Sequence, residues 1–159
     1  MSAAVLIPVI LRQDGLTLLF TQRTDHLTDH AGQISFPGGR VDPGDKDAWD
    51  AALRETEEEV GLPRRHVRMA GRLDTYVTRT GFEVTPLVGL VRPPFPVTPD
   101  SFEVADVFEV PLAFFLDPSS REIHSRQYEG KERFFFAFPF GERYIWGCLL
   151  YTSPSPRDA

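Results

Sequence analysis

The stretch of sequence that decides the fold covers residues 36–62 and reads FPGGRVDPGDKDAWDAALRETEEEVGL. Its first half contains closely spaced glycines and prolines, which favour a loop with tight backbone turns. Its second half predicts a helix over residues 48–60. Asp47 can cap the start of this helix, Gly61 can end it, and Pro63 lies just beyond. The stretch therefore predicts a loop that leads directly into a helix.

The predicted helix carries carboxylates on one face. At about 100° per residue, Glu58 and Glu59 fall within roughly 60° of Glu55, on either side of it. Such a face is often only a solvated acidic surface. Neighbouring carboxylates repel one another, however, and a bound cation would relieve that repulsion. Oxygen ligands of this kind favour a hard ion such as Mg²⁺ or Mn²⁺ over Zn²⁺.

The rest of the chain predicts a mixed sheet around this helix. Segments rich in β-branched and aromatic residues predict strands at 5–11, 16–22, 66–78, 82–91, 104–110, 121–127 and 133–138. Loops are predicted at residues 24–39 and at the proline-rich residues 92–99. An apolar stripe that would pack the helix on the sheet is formed by Trp49, Leu53, Thr56 and Val60.

Composition sets the broad class of the protein. The 159 residues are 42% apolar and 25% charged, as expected for one globular domain. A formal net charge of -6 argues against nucleic acid or an anionic membrane as a partner. Cys148 is the single cysteine, so the chain can form no internal disulfide. We therefore expect a cytoplasmic protein that acts on a small molecule.

Residues 36–62 resemble the Nudix box, G-x5-E-x7-R-E-U-x-E-E-x-G-U, in which U is aliphatic. The matching residues are Gly39, Arg54, Glu55, Glu58, Glu59, Gly61 and Leu62. The sequence departs from the box where Asp45 replaces the first glutamate, where one extra residue precedes Arg54, and where Thr56 replaces an aliphatic residue. The resemblance implies the Nudix fold, an α/β/α sandwich with a mixed β-sheet and one catalytic loop-helix-loop.

The resemblance also implies a metal-dependent diphosphate hydrolase with Mg²⁺ or Mn²⁺ as cofactor. Its metal ligands would be Glu55, Glu58 and Glu59, with the carbonyl group of Gly39 as a further ligand. Arg54 precedes Glu58 by one helical turn and is expected to hold that carboxylate in place. The alternative for Arg54 is an ordinary surface ion pair. Asp45 is not expected to be a ligand.

The third residue of the expected catalytic set, after Glu58 and Arg54 of the helix, comes from outside the box. Glu103 follows the proline-rich loop, in a stretch over residues 102–112 that also resembles the family. By this analogy Glu103 is a fourth metal ligand or the general base. A glutamate at a strand edge in solvent is the alternative, since sequence does not reveal proximity.

Residues 18–39, LLFTQRTDHLTDHAGQISFPGG, resemble the extra signature of the coenzyme A pyrophosphatase branch of the family. The matching residues are Arg23, Gly32, Phe36, Pro37, Gly38 and Gly39, whereas Thr24 and Thr28 depart from it. We expect Arg23, Gly38 and Gly39 to bind substrate, and coenzyme A to be cleaved to 3',5'-ADP and 4'-phosphopantetheine. The alternatives are ADP-ribose, a dinucleoside polyphosphate or a nucleoside triphosphate as substrate, or a non-catalytic binding module.

The C-terminal end departs from this branch. We expect a Nudix domain over residues 1–147 that lacks the branch's C-terminal helix, followed by a foreign-looking disordered tail over residues 148–159. Without that helix, one face of the sheet is expected to be uncovered. Assembly as a homodimer is left open.

Overall fold

A computed structural model describes residues 1–25, 32–78, 81–128 and 130–146. The predicted tail over residues 148–159 and the departure at Thr28 lie outside the described residues. The strands are β1 (Ser2–Arg12), β2 (Gly15–Arg23), β3 (Ile34–Ser35), β4 (Gly38–Arg40), β5 (Val67–Arg72), β6 (Tyr76–Val77), β7 (Glu83–Val91), β8 (Val104–Pro111), β9 (Glu122–Tyr128), β10 (Lys131–Phe140) and β11 (Arg143–Trp146). The helices are α1 (Ala48–Val60) and α2 (Leu112–Leu116).

The predicted mixed sheet is present, and strand β1 lies at its centre. It pairs in parallel with β7 and antiparallel with β2 and β4. Beyond these neighbours, β2 pairs with β3 and β8, while β7 pairs with β5 and β6. Strands β9, β10 and β11 form a separate antiparallel sheet. The predicted α/β class with a mixed sheet is therefore confirmed.

Helix α1 has the predicted bounds, and its caps are the predicted ones. The side chain of Asp47 accepts a hydrogen bond from the backbone N–H of Asp50 at 2.9 Å. Gly61 ends the helix in the left-handed conformation, with φ of 74°. Within the predicted apolar stripe Trp49 is only half-buried, and Ala51 and Ala52 join the buried residues Leu53, Thr56 and Val60.

The two faces of β1 pack against different layers, because alternate side chains of a strand point to opposite sides. Ala4, Leu6 and Ile10 belong to the two clusters that pack under α1. Ile7 and Val9 belong to the cluster on the opposite face. The central strand is therefore buried on both sides.

The face of the sheet opposite α1 is covered, so the expectation of an uncovered face is wrong for the described residues. Phe20 is fully buried there and stacks on Phe36 with ring centroids 4.5 Å apart. Phe115 of α2 and Phe138 of β10 pack beside them. Aromatic side chains of this size bury enough area to close the layer with one short helix and the second sheet.

Other sequence expectations need correction. Residues 66–78 do not form one strand: a 3-10 turn at Arg64–His66 precedes β5, and β6 is separate. The β5–β7 register also shifts between Met69 and Gly71. The predicted loop over residues 24–39 contains β3 and the start of β4, because pairing with β1 and β2 outweighs the turn-forming composition. Helix α2 and strand β11 were not predicted.

The proline-rich loop is exposed, as predicted, and its end is fixed to the C-terminal end of α1. The backbone N–H of Thr98 donates to the carbonyl oxygen of Val60 at 2.7 Å, and that of Asp100 donates to the carbonyl oxygen of Glu59 at 2.9 Å. These bonds satisfy helix carbonyls that would otherwise lack partners. In the described part of the chain, no helix is both long and apolar enough to cross a membrane.

We expect Gly61→Ala to destabilise the protein more than Gly141→Ala does. A Cβ atom at Gly61 would lie 2.5 Å from the carbonyl oxygen of Thr98, whereas one at Gly141 would meet nothing within 4 Å. Both glycines have positive φ, so alanine at Gly141 should cost only the left-handed conformation, about 1 kcal/mol. Alanine at Gly61 should cost at least about twice as much, measured by urea unfolding. An equal loss of unfolding free energy in the two variants would show that the loop at Thr98 moves away from the new side chain without cost.

Candidate active site

The acidic face of α1 lies against strand β4. The backbone N–H of Gly38 donates a hydrogen bond to Oε2 of Glu59 at 3.2 Å. A Cβ atom on Gly39 would lie 2.5 Å from the carboxyl carbon of Glu55, so this close approach requires glycine. Glu58, by contrast, is exposed. The structure thus brings Gly38 and Gly39 against two of the three predicted metal ligands.

Arg54 is held by Asp45, the residue at the departure from the Nudix box. Its Nε donates to Oδ1 of Asp45 at 2.9 Å and its Nη2 donates to Oδ2 at 3.0 Å, a two-pronged contact. The Asp45 side chain is only 5% exposed. The guanidinium of Arg54 holds the pKa of Asp45 below its usual range. Nη2 also donates to the carbonyl oxygen of Arg40 at 3.1 Å.

The third nitrogen of the same guanidinium connects two predicted ligands. Nη1 of Arg54 lies 3.1 Å from Oε1 of Glu55 and 3.3 Å from both carboxylate oxygens of Glu58. One positive group therefore already bridges these two carboxylates. An isolated surface ion pair would not place a guanidinium, 25% exposed, among several acids.

Glu103 and Arg23 reach the same region from the sheet. Strands β2 and β8 pair through Arg23 and Val104 after a register shift next to Arg23. The backbone N–H of Thr24 donates to the carbonyl oxygen of Glu103 at 3.0 Å, and the N–H of Glu103 donates to the carbonyl oxygen of Asp100 at 3.1 Å. The exposed Glu103 is thus fixed between the end of β2 and the loop that caps α1.

The charges of this region act on one carboxyl group. Burial raises the pKa of Glu59 to about 8, the hydrogen bond from Gly38 opposes this shift, and the charges of Glu55 and Glu103 add to it. The positive charge of Arg23 favours the ionised form of Glu59 and lowers its pKa. Burial also raises the pKa of Glu55. Glu103 and Arg23 are therefore close enough to Glu59 to change its ionisation.

The residues fit a divalent cation by their chemistry. The cluster offers carboxylate oxygens, which suit hard cations, and burial together with neighbouring carboxylates raises the pKa values of Glu55 and Glu59. Among the described residues, however, no three acidic, histidine or cysteine side chains are arranged to hold one ion between them. The carboxylates are instead bound by Arg54 and Gly38. For three of these carboxylates to bind one ion, their side chains would have to move from these contacts.

Sequence reasoning missed the residues that support the site. Asp45 is not a predicted ligand, and its contact with Arg54 was not predicted, although its position at the first acidic residue of the box is a signal for a role in the site. Thr98 and Asp100 support α1 through backbone N–H groups. Backbone contacts of that kind have no sequence signature. The sequence likewise gives no sign that Glu103 lies close to the helix, because only the fold brings the two together.

Comparison with known proteins gives the family. The family profile of the NUDIX domain matches residues 2–129. A Yersinia pestis (strain Pestoides F) protein named as an uncharacterized Nudix hydrolase, NudL, is 44% identical over 148 residues, which cover 91% of this chain and 72% of that protein.

Solved structures share the fold. A Caenorhabditis elegans Ap4A hydrolase in a binary complex is similar with a TM-score of 0.60 and 24% identity, over 70% of this chain and 80% of that one. The NUDIX domain of Shewanella oneidensis NrtR complexed with ADP ribose is similar with a TM-score of 0.53 and 18% identity, over 73% and 75% of the two chains. Enzymes of this family generally use divalent metal ions. The chain belongs to the Nudix family, and by family and fold it is a Nudix hydrolase.

Proposed function

We propose that this protein hydrolyses the diphosphate linkage of coenzyme A to 3',5'-ADP and 4'-phosphopantetheine. The observation that carries the proposal is the meeting of two sequence signatures at one place. Arg23 and Gly38 both come from the stretch that resembles the coenzyme A pyrophosphatase branch: Gly38 donates a hydrogen bond to Glu59 of the Nudix box, and the positive charge of Arg23 lowers the pKa of Glu59. A substrate diphosphate beside Arg23 would therefore lie next to the acidic face of α1.

We propose Glu55, Glu58 and Glu59 as ligands of Mg²⁺ or Mn²⁺, with the carbonyl group of Gly39 as a further ligand. When bound, such an ion neutralises charge on phosphate oxygens and lowers the pKa of a water molecule. Arg54 acts as a positioning residue, since its guanidinium contacts Glu55 and Glu58 while Asp45 holds it from the other side.

Glu103, or Glu58, takes the role of general base in this proposal. Glu103 is exposed and carries its charge close to Glu59, so it can receive a proton from an attacking water molecule. Arg23 binds the phosphate oxygens, because a guanidinium matches their geometry better than an ammonium group. Gly38 and Gly39 bind the substrate in this proposal through the backbone of β4, because the absence of side chains lets β4 lie close to Ala4 and to the carboxyl group of Glu55.

The kind of partner and the cellular compartment are part of the same proposal. A net charge of -6 opposes long-range attraction to nucleic acid or anionic membranes, which favours a small diphosphate as partner. A single cysteine suits a reducing compartment, and we place the enzyme in the cytoplasm. Assembly as a homodimer would be compatible with this function.

Coenzyme A should be cleaved with a higher kcat/KM than ADP-ribose, a dinucleoside polyphosphate or a nucleoside triphosphate, with products identified by mass spectrometry. Arg23→Ala should raise KM for coenzyme A about tenfold, because it removes a charged contact with phosphate. Arg121→Ala is the matched control, since Arg121 packs over the ring of Phe136 away from this site.

The outcomes separate the parts of this proposal. A kcat/KM ten times higher for ADP-ribose than for coenzyme A would overturn coenzyme A as the substrate. It would not contradict the proposed hydrolysis mechanism. If no diphosphate is cleaved with Mg²⁺ or Mn²⁺, the catalytic proposal fails, and a binding module becomes the better explanation.

The metal-free protein should lose stability as the pH rises, because of Glu59. Its native pKa of about 8 exceeds the ordinary value of 4.5, so the native state keeps a proton that the unfolded chain releases between these values. The stabilisation that protonated Glu59 gives the native state is fully present below the pKa that Glu59 has in the unfolded chain. It is lost as the pH rises through the pKa that Glu59 has in the native state. The stability advantage of Glu59→Gln over the wild type should therefore grow by on the order of 2 kcal/mol from about pH 5.5 to about pH 8.5.

Urea unfolding in EDTA measures this difference, and Glu57→Gln on the same helix serves as the control. The side chain of Glu57 accepts a hydrogen bond from the N–H of Arg64 and lies outside the acidic cluster. Saturating Mg²⁺ should stabilise the wild type more than Glu59→Gln. An advantage of Glu59→Gln that stays constant over this pH range would contradict the account of the buried carboxyl group.

A further inference from the structure

Most arginine side chains that the structure describes are matched by an acid or an aromatic ring. Ion pairs are formed by Arg12, Arg54, Arg64 and Arg143, and ring contacts by Arg40 and Arg121. Among the described side chains, those with neither partner are Arg65, Arg68, Arg72 and Arg92. All are exposed, and the first three fall in a nine-residue run without an acid, RRHVRMAGR at residues 64–72. In a chain of net charge -6, this is a local concentration of unpaired positive charge.

Two of these arginines line a groove. Arg68 and Arg92, together with His66, Leu11 and Leu90, surround an open cavity of about 340 Å³. Leu90 packs against the cluster on the face of the sheet opposite α1. Leu11 follows Val9 at the spacing that puts both on that face. The groove is therefore separate from the acidic face of α1.

His66, which lines this groove, also carries a buried polar atom without a partner among the residues that the structure describes. Nε2 of His66 is buried and makes no hydrogen bond with any described residue. Nearly all buried polar atoms in proteins have such a partner, so an unsatisfied one in a residue that lines a cavity is consistent with a ligand that enters there. A histidine and two arginines that line one groove suit an anion, whose oxygens accept hydrogen bonds from all three side chains.

We propose that this groove is a second site, which binds the phosphate group of a small phosphorylated molecule. The guanidinium groups of Arg68 and Arg92 bind the phosphate oxygens, and Nε2 of His66 donates to one of them. Leu11 and Leu90 provide an apolar floor for the organic part of the ligand. The overall negative charge of the protein disfavours a polyanion such as nucleic acid, so the ligand is a small one.

NMR of the His66 imidazole, titrated with AMP, inorganic phosphate or adenosine, tests this proposal. The full chain is kept in EDTA, and sodium chloride holds the ionic strength constant. We expect AMP and phosphate to shift the His66 resonances with saturation and adenosine to leave them unchanged. Tighter binding of AMP would identify an organic phosphomonoester as the ligand, and equal affinities would identify free phosphate.

Matched variants show where the ion binds. Arg68→Gln combined with Arg92→Gln should weaken the binding at least about tenfold, because two charged contacts are lost. Arg72→Gln removes the same kind of exposed, unpaired charge from β5 but lies outside the groove, and it should bind as the wild type does. The single variant Arg92→Gln, beyond the end of β7, repeats the test if the double variant does not fold. Absence of a saturable shift, an equal response to adenosine, or equal affinity in all variants would overturn the proposal.

Discussion

The close packing of a glycine pair against β1 and α1 is the constraint on which the site depends. Gly38 lies so near β1 that an added Cβ atom would be 2.4 Å from the carbonyl oxygen of Ala4. Gly39, next to it, leaves space for the carboxyl group of Glu55. A side chain at either position would force β4 away from β1 or from the helix. The bond from Gly38 to Glu59 exists because that approach is allowed.

Ion pairs of Arg54 then hold the acidic side chains of α1 in one arrangement. Asp45 holds two nitrogens of Arg54, and the third nitrogen reaches Glu55 and Glu58. Several acids around one guanidinium leave the cluster with excess negative charge, and this excess raises the cost of burying Glu59 in its ionised form. The fold therefore places an electrostatic penalty at the face that we propose as the divalent-cation site. We expect the same penalty to make the stability of the protein depend on pH and on bound metal.

The sequence predicted the parts of the fold that depend on local signals. The caps Asp47 and Gly61 and the spacing of apolar residues fixed α1, and the alternating patterns located most strands. The covered second face was missed, because it depends on long-range contacts of aromatic residues such as Phe20. In the site, the helix carboxylates followed from periodicity. The nearness of Glu103 did not, since it results from backbone bonds of Asp100 and Thr24 that join distant segments.

The central claim is that the acidic face of α1 is a divalent-metal site, and anomalous diffraction from crystals soaked in Mn²⁺ tests it most directly. The account predicts an anomalous peak beside the carboxylates of Glu55, Glu58 and Glu59, with their side chains moved from their contacts with Arg54 and Gly38. The peak should be absent in crystals of Glu59→Gln soaked in the same way. A peak at another place, or an equal peak in that variant, would contradict the account.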